Sequence, residues 1–248
     1  MNILYKIYQL LVCLPLLGLS TILTALLTII GCTLGKASFW AYWPPCIWSK
    51  LMCRIPLLQV DVIGREKLQK GTSYVFVANH QGPYDIFLIY GYLGHSFRWL
   101  MKKELRRIPL IGRACEKAGH IMVDKSGPKA IARTQALARE TLKGGISIVV
   151  FPEGSRTFTG CMASFRRGPF MLGHQLRLPI VPVTIDGSFD VLPRQKGVNF
   201  LTRHKLRLVI HDPIPYREDL DGIMQESYSV IESALPPHYR GMRENSDQ

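Results

Sequence analysis

The stretch Tyr74-Val75-Phe76-Val77-Ala78-Asn79-His80-Gln81-Gly82-Pro83-Tyr84-Asp85 decides how this chain is read. A β-rich apolar run ends at Asn79-His80, a Gly-Pro turn follows, and Asp85 opens the next apolar-periodic segment. That order predicts a strand, a tight turn and a helix N-terminus. The turn brings the end of the strand back towards the start of the helix. A carboxylate at Asp85 then accepts the proton of one imidazole nitrogen of His80 and leaves the other as a base of fixed tautomer. A lone His with an Asp five positions later is more often a surface or capping pair, so the spacing alone does not assign chemistry.

A second stretch adds weight. Phe151-Pro152-Glu153-Gly154-Ser155-Arg156-Thr157 follows the apolar run Ile146 to Val150 and also reads as a strand leaving a sheet into a polar loop. Two such loops at strand exits are where an open α/β sheet assembles a site. Working outward, Leu57 to Ile63, Phe97 to Met101, Ile180 to Val183 and Lys205 to His211 read as further strands. Ile86 to Leu93, about Pro128 to Lys143, and Arg217 to Leu235 read as helices. Ser126 is a candidate cap for the second helix, with Ile131, Thr134, Ala138, Thr141 and Leu142 on its buried face and Gly144-Gly145 as its stop. Pro182 is awkward inside a central strand and predicts an edge or a bulge. The tail from Pro236 reads as frayed. The fold class predicted is α/β: a mostly parallel central sheet flanked by helices, preceded by a hydrophobic membrane-associated segment. Residues 1–56 form that segment and residues 57–248 the α/β domain.

The chain has 248 residues, 47% of them hydrophobic, and carries a formal charge of +13. Such a balance suits an anionic partner: nucleic acid, anionic lipid or a phosphorylated substrate. No zinc-finger or RNA-binding signature accompanies the charge, which disfavours nucleic acid. Cys13, Cys32, Cys46, Cys53, Cys115 and Cys161 show no Cys-x-x-Cys spacing and read as small apolar residues in a reducing compartment. Leu10 to Ile30 is uncharged and apolar, just long enough to cross a bilayer core. Aromatic residues Trp40, Tyr42, Trp43 and Trp48 follow it, a composition suited to the membrane–water interface. Lys36, Lys50 and Arg54 follow the run against Lys6 before it, which predicts a cytoplasmic body. One span, or a helical pair lying in one leaflet, both fit.

Asn79 to Asp85 resembles the His-x4-Asp motif of the glycerolipid acyltransferases, and Phe151 to Thr157 resembles their Phe-Pro-Glu-Gly-x-Arg motif. The two stand in the family order, about seventy residues apart. Within that superfamily the chain most resembles the 1-acylglycerol-3-phosphate (lysophosphatidate) acyltransferases. Gly119 to Lys125 resembles a further family motif, with Lys125 where the family usually has Arg; Lys keeps the charge but loses the bidentate fork. The resemblance implies acyl transfer to the sn-2 hydroxyl of lysophosphatidate, giving phosphatidate. It implies no metal and no cofactor beyond an acyl donor, acyl-CoA or acyl carrier protein, and both one-span and one-leaflet anchoring are compatible with it. His80 is then the base and Asp85 its orienting carboxylate. Arg156 offers a planar fork for the acceptor phosphate, with Arg166 and Arg167 as additions. Glu153 holds Arg156 or binds a glycerol hydroxyl, and Gly154 admits close approach of backbone to ligand. Backbone amides of the Gln81-Gly82-Pro83 turn are candidates for stabilising the oxyanion. Ser155 is a poor candidate nucleophile, since the Gly-x-Ser-x-Gly elbow is absent. Competing readings are another lysolipid acceptor (a lysophospholipid or a lyso-amino-acid lipid) and a non-catalytic membrane-anchored lipid-binding protein. The oligomeric state is left open.

Overall fold

The computed structural model describes residues 2–124, 126–142, 145–194 and 199–241; Lys125, Lys143 and Gly144 lie outside them. The strands are β1 (Val60–Ile63), β2 (Val75–Ala78), β3 (Phe97–Lys102), β4 (Ile121–Val123), β5 (Ser147–Val150), β6 (Ile180–Asp186) and β7 (Leu206–Ile210). Among the described residues they form one seven-stranded sheet in the order β1-β7-β6-β2-β5-β3-β4. The five strands from β6 to β4 run parallel, β7 is antiparallel to β6, and β1 is parallel to β7. This is the mostly parallel sheet the sequence predicts. β2 and β5 sit at its centre and are buried on both faces, which is why they read as unbroken apolar runs.

Helices cover both faces. α1 (Ile3–Leu34) and α2 (Trp43–Arg54) precede the sheet; α3 (Tyr84–Tyr92), α4 (Ile111–Lys117), α5 (Pro128–Thr141), α6 (Arg167–Gln175) and α7 (Leu220–Ser233) follow β2, β3, β4, β5 and β7. On one face Cys53 of α2 and Leu88, Ile89 and Leu93 in and beyond α3 pack with Phe76, Ala78, Phe97 and Val149. On the other, Phe170 of α6 and Ile223 and Ile231 of α7 pack with Val75, Val77 and Val150. Ala138 of α5 and Leu142 just past its end pack with Ile121 and Ile148 there. The change of composition near residue 56 is not a gap in packing. Cys53 is fully buried, and Tyr84 and Tyr90 donate hydrogen bonds to the carbonyls of Met52 and Ala41.

Three local expectations meet the structure. β6 is interior, so of the edge or bulge expected at Pro182 it is the bulge that is found. Val183 pairs with Ile210, whereas Ile180 bridges to Ile214, one residue more on the β7 side. The Pro182 carbonyl accepts from His211 N–H across that bulge. N and C=O of one strand residue point the same way, so the missing N–H faces the irregularity and not β2. Ser126 does not cap α5: its N–H donates to Asp124 and Gly127 takes the cap position. The tail is docked as far as Gly241, with Tyr239 buried and its hydroxyl bonded to Asp190.

α1 is 32 residues long; its most apolar stretch of 18 has a mean hydropathy of 2.4 and is 11% buried. A π-helical turn at Gln9–Cys13 precedes Pro15; the wider turn accommodates a residue that has no N–H and would clash with the carbonyl four residues back. α1 lies along the body from end to end. Tyr5 and Tyr8 donate to the carbonyls of Pro56 and Ile55, and Gln9 makes paired hydrogen bonds with the backbone of Leu201. Further on, Thr21 accepts from the Trp48 indole and Gly31 lies under the Trp40 ring. The opposite side exposes Leu4, Leu11, Leu19, Ile22, Leu26 and Ile30.

Candidate active site

β2, β5 and β6 end side by side, and the site is built on their exits. Asn79, one residue past β2, prolongs the ladder with its side chain: Nδ2 donates to the Ile185 carbonyl at 2.8 Å, and Ile185 N–H donates to Oδ1 at 2.7 Å. The chain then turns away at His80. Gly82 is required here, because a Cβ would stand 2.7 Å from the Ser188 carbonyl oxygen. The turn delivers Asp85 to the first turn of α3, fully buried, at the positive end of the helix.

His80 Nδ1 and Asp85 Oδ2 are 2.6 Å apart, and Gly82 N–H donates to the same oxygen at 2.9 Å. A carboxylate accepting from Nδ1–H leaves the lone pair on Nε2. The imidazole lies flat on Phe151, centroids 3.9 Å apart and planes 7° apart, and Phe151 stacks in turn on Trp99 of β3. His80 is therefore fixed at its nitrogen, across its face and along its backbone.

The backbone grip comes from the second loop. Glu153 is buried; its Oε1 accepts His80 N–H at 2.7 Å and its Oε2 accepts Ala163 N–H at 2.8 Å. Thr157 N–H donates to the His80 carbonyl at 2.9 Å. Both carboxylate oxygens of Glu153 thus tie backbone segments together, a task the sequence did not suggest. Gly154 has φ +80, and a Cβ there would meet the Arg166 guanidinium at 2.8 Å, so Arg166 lies across the loop backbone. The Arg156 carbonyl accepts from Arg194, whose guanidinium sits 3.9 Å over the Phe158 ring. The structure brings His80, Asp85, Glu153, Gly154, Arg156 and Arg166 to adjoining loops. Arg167 instead starts α6 and pairs with Asp221 of α7 at 3.2 Å. Two amides of the region, those of His80 and Gly82, are taken by Glu153 and Asp85 and are not available to an oxyanion.

His120 stands apart from this chemistry. It is buried, accepts from Trp99 N–H at Nδ1 and lies 3.2 Å from the Tyr90 hydroxyl at Nε2. Burial, with the Arg98 cation second, pushes its pKa down to about 3, so it is a neutral structural imidazole. Trp99 and Arg194 support the site without having been singled out from sequence, and Asn79 and Phe151, quoted there only as parts of the motifs, prove to position it. Among the described residues no cluster of His, Cys, Asp and Glu has the makings of a metal site.

An α/β sheet with a His–Asp dyad at one strand exit and an arginine-bearing loop at the next has the build of a general-base transferase without a nucleophile elbow. The family profile described as Acyltransferase matches residues 59–186, and the chain belongs to that family. Its relatives include a 1-acyl-sn-glycerol-3-phosphate acyltransferase of Chlamydomonas reinhardtii, 29% identical over 187 residues, 75% of this chain and 56% of the relative. A protein of the same name from Saccharomyces cerevisiae is 30% identical over 172 residues, 67% of this chain and 56% of the relative. The chain spans little more than half the length of such relatives. The crystal structure of the 1-acyl-sn-glycerophosphate acyltransferase PlsC from Thermotoga maritima superposes with a TM-score of 0.72 at 26% identity, covering 92% of this chain and 94% of that one.

Proposed function

We propose that this chain transfers a fatty acyl group from an acyl thioester to the sn-2 hydroxyl of 1-acylglycerol 3-phosphate. The observation that carries the reading is the His80–Asp85 contact of 2.6 Å on a base held rigidly by Glu153 and Phe151. His80 Nε2 removes the hydroxyl proton as the oxygen attacks the thioester carbonyl, and Asp85 steadies the imidazolium that results. The tetrahedral intermediate collapses, the C–S bond breaks, and the thiolate leaves as thiol with the proton from His80. Arg156 and Arg166 bind the acceptor phosphate. No covalent acyl-enzyme and no metal or redox cofactor is needed for this balance. The donor is acyl-CoA or acyl carrier protein, both anionic and both suited to the basic surface.

The body sits on the cytoplasmic face of a membrane, with α1 and α2 inserted in one leaflet. Supporting this, α1 is tied to the body at Tyr5, Gln9, Thr21 and Gly31, positions spread over its length. A helix leaving to cross the bilayer would lose most of those contacts. The test is the purified full-length chain with a panel of lysolipid acceptors and both thioester donors, products read by mass spectrometry. Phosphatidate formed in preference to other products supports the reading; faster acylation of another lysophospholipid or a lyso-amino-acid lipid moves the acceptor. No transfer to any acceptor, with lipid still bound, leaves a binding protein.

A further inference from the structure

The chain leaving β3 at the site end of the sheet runs Lys102-Lys103-Glu104-Leu105-Arg106-Arg107-Ile108-Pro109-Leu110-Ile111, and every one of these residues is exposed. Four of them are large and apolar: Leu105 41%, Ile108 40%, Leu110 38% and Ile111 41% exposed. This is not a loose loop that has failed to bury its side chains. Ile111 N–H donates to the Pro109 carbonyl, Gly112 N–H to the Ile108 carbonyl and Ala114 N–H to the Leu110 carbonyl. Leu110 holds φ +63, a conformation costly for a branched side chain. The Arg106–Glu116 ion pair closes the base of the turn, and Lys103 is tied to Asp124. An ordered turn that spends backbone strain to present leucine and isoleucine outward points to a partner that receives them.

We propose that residues 103–111 are a second membrane contact, an apolar finger that enters the same leaflet as α1 at the mouth of the active site. Two observations select a bilayer. The finger opens α4, which packs beside α1: Ile111, Ala114 and Cys115 line one cleft together with Thr21, Thr24 and Thr28 on the body-facing side of that helix. Its rim is cationic, since Lys102, Arg107 and Arg113 are exposed and have no ion-pair partner among the described residues. Apolar side chains ringed by free cations match acyl chains beneath anionic headgroups. The consequence is orientation. α1 sets which side of the molecule meets the leaflet, and a second contact beyond β3 fixes the strand exits that carry His80 and Phe151 towards it.

The test uses the full-length chain in vesicles of phosphatidylcholine, with and without phosphatidylglycerol, doped with a lipid bearing a photoactivatable diazirine on its acyl chain. The expected result is carbene adducts in the peptide covering 103–113 as well as in α1, more of them when phosphatidylglycerol is present. Leu105→Ser/Ile108→Ser/Leu110→Gly changes only exposed side chains, and glycine takes the φ 63, ψ −56 backbone at Leu110 without strain. This variant keeps the wild-type melting temperature and its α1 adducts and loses those of 103–113. Adducts confined to α1 and α2 in the wild-type chain overturn the proposal. The readout needs no turnover, so it stands or falls separately from the reaction assigned to the site.

Discussion

At the residue scale the proposed reaction divides the site into groups that do chemistry and groups that hold them. His80→Ala removes the base, and acyl transfer should fall on the order of a hundredfold or more in a protein that still folds. Asp85→Asn keeps the shape, but its amide nitrogen or oxygen now faces Nδ1 without fixing the tautomer; turnover should fall comparably while acceptor KM holds. Equal activity in either variant removes the dyad from the mechanism. Arg156→Lys keeps the charge and loses the fork, so its effect should appear in acceptor KM; an unchanged KM moves the phosphate site to Arg166. Glu153 is the sharper case. Glu153→Gln leaves one of the two amides, His80 N–H or Ala163 N–H, facing an NH2, a loss of about 1–3 kcal/mol. The melting temperature and kcat should both drop with little change in acceptor KM, whereas a glycerol-binding role predicts a KM effect at wild-type stability. His80 and Asp85 were legible in sequence because their contact is local, five positions apart. The Glu153 contact was not, because its partner is a backbone amide 73 residues away and any residue type supplies one.

At the scale of elements, β2 and β5 were legible because central parallel strands must be apolar on both faces. α6 was not: Gly168, Pro169 and Gly173 dilute its periodicity. α4 is seven residues long, too short to announce a period. β4 is shorter still, and its anchor is a histidine. His120 joins β3 through Trp99 N–H and α3 through Tyr90, whose hydroxyl donates onward to Ala41. Its pKa lies near 3 in the fold, pushed down by burial and the Arg98 cation, against about 6.5 in an unfolded chain. Between those values the unfolded chain binds more protons, so stability rises with pH through the window. The contribution is complete above about pH 6.5 and is lost as pH falls towards 3. His211, near 4 through burial with Lys67 second, acts in the same direction. Chemical denaturation at pH 7 and pH 5 should show the wild type losing stability on acidification. His120→Gln, which also offers one acceptor and one donor, should lose less; an identical pH slope in the two proteins assigns the acid sensitivity elsewhere.

At the scale of the whole molecule, the proposed function asks how a site at the central strand exits reaches a lipid. Lysophosphatidate lies in a leaflet with its headgroup at the surface, and extracting it costs about 0.8 kcal/mol per CH2 exposed to water. An enzyme embedded beside its substrate avoids that cost. The sequence located the apolar segment but divided the chain near residue 56. The structure makes that an unsuitable place to cut, because α2 packs Pro45, Cys46, Ser49 and Cys53 into the body against α3. Removing it would uncover the core and confuse misfolding with loss of membrane binding. A chain beginning at Lys36 keeps α2 and removes α1, whose hydrogen bonds to the body run through Tyr5, Tyr8, Gln9, Cys13 and Thr21. High salt should fail to release the full-length chain from vesicles, since its attachment is apolar, and detergent should succeed. The shortened chain should fold, bind anionic vesicles more weakly and come off more readily with salt, because screened charge attraction then carries more of the binding beside α2 and the proposed 103–111 contact. It should turn over short, water-soluble acceptors at rates near those of the full chain and long-chain acceptors in bilayers far more slowly. If instead it acylates long-chain lysophosphatidate in bilayers as fast as the full chain, α1 is a tether and not the means by which the site meets its substrate.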